Sequence, residues 1–84
     1  MKVSNYKPNQ TLVETSDFTV LLSYDVPQVV VLHKENLVLV NDKKYSNTTS
    51  KHKNAYVRTL CDRTQTIIPA LPAEIQELTG LETR

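Results

Sequence analysis

Between Asp42 and Lys53 the chain reads Asp-Lys-Lys-Tyr-Ser-Asn-Thr-Thr-Ser-Lys-His-Lys, which crowds cations, hydroxyls and an imidazole around a candidate helix start. The first turn of a helix leaves backbone N–H groups unpaired and carries a partial positive charge. Ser and Thr placed there add donors, and Lys adds full charge. The chemistry on offer is the binding of an anion or phosphate. The residues that would supply it are Lys43, Lys44, Ser46, Thr48, Thr49, Lys51, His52 and Lys53, with Arg58 further along the same segment. The same types are also ordinary caps for a surface helix, so chemistry and structure compete for them.

The charge balance isolates this segment. From Asp42 to Arg58 there are Lys43, Lys44, Lys51, Lys53 and Arg58 against Asp42, a net of +4, within a chain of formal charge +1. A global charge near zero argues against a duplex-coating protein, which depends on a broad positive field, but it leaves room for a small basic patch.

Catalysis and metal binding find little else to work with. Gly80 is the only glycine, which excludes glycine-rich phosphate loops. His33, His52 and Cys61 lack the paired spacing of a zinc site. Cys61 and His52 sit nine positions apart on one predicted helix, roughly 13 Å along its axis, too far for a dyad. Cys61 reads as a small apolar side chain, and Asp17 and Asp25 as turn formers. His52, four residues before Tyr56, shares its helix face and should pack at the margin of the core, one ring nitrogen reaching a capping hydroxyl or a backbone carbonyl. No enzyme, cofactor or metal is expected.

The elements that would position these residues follow from the hydrophobic period. The 84 residues, 39% hydrophobic and 23% charged, make one domain with a thin core and no run long enough for a bilayer. The N-terminus lacks the apolar stretch of a secretion signal and Cys61 has no second cysteine, so a reducing cytoplasm is expected. Phe18 to Tyr24 alternates as a strand with one core face, and Asp25-Val26-Pro27 reads as a turn or edge bulge. Gln28 to His33 is apolar on both faces and predicts a central strand. Lys34-Glu35-Asn36 forms a hairpin connection in which Asn36 takes a left-handed conformation, and Leu37 to Asn41 is the next strand. From about Thr48 to Cys61 the spacing of Tyr56, Val57, Leu60 and Cys61 predicts an amphipathic helix with Lys51, Asn54 and Arg58 turned away. Thr66-Ile67-Ile68 suggests a short strand. Pro72 and Gly80 bracket a helix over 72–79 that docks through Ile75 and Leu78. Residues 1–10 are a flexible arm or an edge segment, with Leu12 and Val13 opening a fourth strand. The fold class is α+β, a meander of three to four strands with one helix packed on it, spanning 18–60, followed by the short C-terminal helix.

Two blocks carry a resemblance: Ser23-Tyr24-Asp25-Val26-Pro27-Gln28-Val29 and Lys43-Lys44-Tyr45-Ser46-Asn47-Thr48-Thr49-Ser50-Lys51-His52. They resemble a group of small proteins of unassigned activity encoded by bacteriophages and other mobile elements. That group shows Ser-Tyr before Thr-Pro-Val, then Lys, an aromatic, Ser, Thr-Thr and His in this spacing; Val26, Gln28 and Lys53-Asn54 depart from it. The resemblance implies a phage-type origin and no particular reaction.

Three readings of function result. In the first, the chain is a non-enzymatic accessory factor that binds and inhibits or diverts a host or defence protein. In the second, the basic helix start, residues 43–58, holds the phosphate backbone of DNA or RNA. In the third, the basic segment is a solvated helix face capped by its hydroxyls. A homodimer follows if the strand from Gln28 to His33 lies at a sheet edge. No membrane association is expected.

Overall fold

The computed structural model describes residues 2–43, 47–60 and 65–81; the side chains of 47, 48, 59 and 60 also lie outside the description. In chain order the elements are β1 (Lys2–Lys7), β2 (Gln10–Glu14), β3 (Phe18–Ser23), β4 (Val26–Leu32), β5 (Leu37–Asn41), α1 (Asn47–Leu60), β6 (Thr66–Ala70) and α2 (Pro72–Thr79). The strands form one six-stranded sheet in sequence order, antiparallel from β1 to β5, with β6 parallel to β5. The class is α+β as expected, but the meander is longer than three to four strands.

Tight turns set the antiparallel register. Pro8 and Asn9 turn β1 into β2, Asn9 taking a φ of 62°. The Thr15 hydroxyl accepts from the N–H groups of Asp17 (3.2 Å) and Phe18 (3.1 Å), closing the β2–β3 turn. Tyr24 and Asp25, with φ of 50° and 65°, form the β3–β4 turn in the left-handed pair of conformations that matches strand twist. The expected turn at Asp25-Val26-Pro27 is therefore displaced: Val26 and Pro27 already belong to β4. Pro27 is tolerated because the β3–β4 register shifts beside it and the β4–β5 ladder starts only at Val29. Asn36 turns β4 into β5 with the left-handed φ foreseen for it, 52°.

Each face of the sheet carries a core. Val13, Val20, Val30 and Leu39 pack with Ala70 and the fully buried Ile75 of α2. Leu21, Val29 and Val38 pack with Tyr56 of α1, flanked by Tyr6, Leu12 and Val57. The single core face expected for the first strand is thus corrected: α1 covers β3 and β4 on one side, and α2 covers β4 and β5 on the other. Leu78 does not dock and is 47% exposed. Glu74 accepts from the Leu71 N–H (3.2 Å) at the start of α2, and Gly80 ends it at φ 75°.

β4 lies in the interior of the sheet, so the strand pairing proposed for Gln28–His33 has no free edge to use. Residues 2–7 take the edge-segment course, as β1. Among the described residues no helix is long and apolar enough to cross a membrane.

Candidate functional site

The first half of α1 lies across the ends of β3 and β5. Ser23, the last residue of β3, is 1% exposed, and Thr49 in the first turn of α1 is 4% exposed. The Ser23 hydroxyl lies 3.4 Å from Thr49 Oγ1 and 2.8 Å from His52 Nδ1. The ring tautomer sets the direction of the short contact: the serine O–H donates to a bare Nδ1, or an Nδ1–H donates to Ser23 Oγ. The Tyr24 ring stacks on His52, centroids 6.0 Å apart and planes 23° from parallel. A bulky residue at positive φ is strained, and this stack is one of the contacts that hold Tyr24 there. The marginal position expected for His52 is what the structure shows, but the partner of its ring nitrogen is corrected: it is the hydroxyl of Ser23 in the sheet, not a helix cap or a backbone carbonyl.

A serine 2.8 Å from an imidazole invites a nucleophilic reading. Burial argues otherwise: at 1% exposure no substrate carbonyl reaches Ser23 Oγ in this conformation.

Lys53 is also drawn inward. Its Nζ donates to the Asn41 carbonyl (2.9 Å), tying α1 to the end of β5. The Asn41 side chain, itself fully buried, donates to the Pro27 carbonyl (2.9 Å) and accepts from the Lys43 N–H (3.0 Å). Lys43 is exposed at the end of that connection, and Lys51 and Arg58 are exposed on α1. Lys44, Ser46 and Cys61 lie outside the described residues, as does the side chain of Thr48. The candidate set divides: Thr49, His52 and Lys53 make internal bonds, while Lys43, Lys51 and Arg58 reach solvent. Among the described residues no three metal-ligating side chains come together.

Lys51, Asn54, Ala55 and Arg58 recur at helical spacing and form one exposed stripe along α1. Beside it, Val40, Asn54, Val57, Arg58, Ile67 and Pro69 line a groove of about 450 Å³ between α1 and β5–β6. Four of its six lining residues are apolar, Arg58 and Asn54 complete it, and Ile67 is 47% exposed. Reading the sequence missed this groove because its walls come from three separate elements. It also missed Ser23, although alternation in the strand placed Ser23 opposite Phe18 and Val20. The Gln28 amide was missed too: it is fully buried, and among the described residues neither its nitrogen nor its oxygen has a hydrogen-bond partner. Gln28 sits in β4 where the register against β3 shifts.

The model of a family of unknown function, DUF8033, matches residues 1–69. The chain belongs to that family. The family's span holds β1 to β5, α1 and all but the last residue of β6, and includes both blocks of the sequence resemblance. It therefore contains the Ser23–His52 cluster and the lining of the groove, and it ends before α2. No curated protein and no solved structure matches the chain.

Proposed function

We propose that the protein acts without catalysis, binding a protein partner through the α1 face. The partner is a host or defence protein that it inhibits or diverts, in keeping with the phage-type group its sequence resembles. The observation that carries the reading is the groove of about 450 Å³ lined by Val40, Val57, Ile67 and Pro69 together with the exposed Arg58. A mostly apolar lining beside an exposed arginine is the composition of a protein-binding surface, and it selects an apolar side chain with a carboxylate nearby. Immobilised protein should retain a stoichiometric partner from the lysate of its host cell. Ile67→Asp and Arg58→Glu should each release that partner without lowering the melting temperature. Retention by both variants would dispose of the groove.

A second reading is favoured by one observation: α1 carries Lys51, Lys53 and Arg58 and no acidic residue. Phosphate-backbone binding by Lys43, Lys51 and Arg58 would show as retention on DNA or RNA that weakens steeply with salt. Lys51→Glu should then reduce it, while absence of binding at low salt would leave protein capture alone.

A further inference from the structure

The two edges of the sheet, β1 and β6, offer solvent different backbones. At β6, Thr66 N–H donates to the Asn36 carbonyl (3.1 Å) and Asp42 N–H to the Ala70 carbonyl (2.9 Å). In a parallel pair alternate residues bond to the neighbour, so Thr66, Ile68 and Ala70 face β5 while Ile67 and Pro69 face outward. Proline has no N–H to offer. Pro69 thus costs the β5 ladder nothing and blunts the outer edge against strand addition.

At β1 the phase is fixed through its neighbour. Thr15 N–H donates to the Phe18 carbonyl (2.8 Å) and Tyr24 N–H to the Asn9 carbonyl (3.0 Å). Alternation then directs residues 9, 11, 13 and 15 to β3 and residues 10, 12 and 14 to β1. With Lys2 opposite Glu14 and Ser4 opposite Leu12, Lys2 and Ser4 bond to β2, leaving Val3 and Asn5 with outward N–H and carbonyl groups. No proline lies within β1. Val3 is 60% exposed, the most open large apolar residue among those described.

We propose that the β1 edge pairs antiparallel with the β1 edge of a second copy, giving a two-fold dimer with one continuous sheet. The outward groups are symmetric about Ser4. A two-fold axis at Ser4 sets Val3 against Asn5 of the second copy and Asn5 against its Val3, so every outward donor and acceptor of both residues is used. Sliding either way by two residues leaves one of them unmatched. In the centred register Lys2 lies opposite Tyr6 of the second copy, where the β1 ladder shifts and Lys7 already sits over the Tyr6 ring (5.2 Å), so the regular pairing is confined to residues 3–5 and the lysines oppose its extension. The helices lie on the faces of the sheet, α1 mainly over β3 and β4 with Tyr56 touching Tyr6 of β1, and α2 over β4 and β5, so neither covers the outward backbone of Val3 and Asn5. This surface is separate from the groove at β6. One short strand pair buries less than the roughly 1,200 Å² of stable interfaces, so the dimer is weak and concentration-dependent.

Sedimentation equilibrium on the purified chain tests this, from about 10 μM to about 500 μM, where mass action should reveal the dimer. The weight-average mass should climb toward twice that of the monomer. Val3→Pro gives β1 the feature Pro69 gives β6: it removes an outward donor and spares the β2 ladder. It should lower the association constant by about tenfold or more. Ser4→Asp brings two carboxylates together at the axis and should weaken association similarly, with partial recovery in high salt. Circular dichroism and the melting curve of each variant at low concentration report the fold, and if Val3→Pro is misfolded Ser4→Asp decides. A monomer at every concentration overturns the proposal. So does a folded variant that associates as well as the wild type.

Discussion

The two faces of the sheet are covered by helices held in different ways. α2 is an apolar plug: Ile75 is fully buried, Glu74 and Gly80 settle its ends, and Thr79 Oγ1 donates to the Ile75 carbonyl (2.7 Å). Its outer surface bears Glu74 and Glu77 and no cation. α1 packs Tyr56 and Val57 against the sheet and, among the described residues, adds polar contacts at its first half, Ser23 with Thr49 and His52, and Lys53 on the Asn41 carbonyl. Its outer surface is basic and opens into a groove. An apolar plug has done its work once it is buried. A helix fastened by polar contacts at one end keeps an exposed surface beside a pocket, so the α1 face is where a partner is to be sought.

The largest test of that contrast is Ile75→Ala. Removing a fully buried side chain from a thin core should cost about 2–5 kcal/mol, read from denaturant unfolding. A loss under about 1 kcal/mol would mean that α2 is not the structural plug described, since buried large-to-small changes rarely cost so little. The polar fastening should be weaker and cooperative. His52→Ala and Ser23→Ala should each cost about 1 kcal/mol, and the double mutant less than their sum. Strict additivity would show that the hydroxyl and the ring do not act together. Asp25→Gly should raise stability by about 0.5–1 kcal/mol, because glycine takes positive φ without steric cost. If it does not, the turn is held by the Asp25 side chain. Smallest of all, Lys51→Glu should change stability by less than about 0.5 kcal/mol, as surface substitutions do. Any effect of Lys51→Glu should appear in partner or nucleic-acid retention.

What could be read from the sequence was what repeats locally. The three strands from Phe18 to Asn41 announce themselves by alternation, α1 by the spacing of Tyr56 and Val57, and α2 by Pro72 and Gly80. β1 reads equally as a flexible arm or an edge segment because an edge strand needs no apolar period: only Tyr6 among its residues packs into a core. The β3–β4 turn was legible through Asp25, a residue that tolerates the left-handed conformation, but its position was displaced because Pro27 reads as a breaker and Tyr24 is an unusual occupant of positive φ. The two-sided core escaped because α2, a single short helix, supplies the second side through one residue. At the site, the basic segment was visible as a cluster, yet its division into inward and outward residues depends on which side chain meets the end of a distant strand. Ser23 and His52 lie 29 positions apart. No periodicity within α1 could disclose that pairing.

The parallel placement of β6 has a consequence for the order of assembly. From β1 to β5 each strand meets its predecessor through a short turn, so those pairings close small loops and can form early. β6 joins β5 only after the chain has traversed the whole of α1, and α2 follows β6. The last strand and its helix therefore complete a scaffold already built. Native-state hydrogen exchange should find the amides of Ile68 and Ala70 opening at lower free energy than those of β3 and β4, so that the molecule loosens from its C-terminal side first.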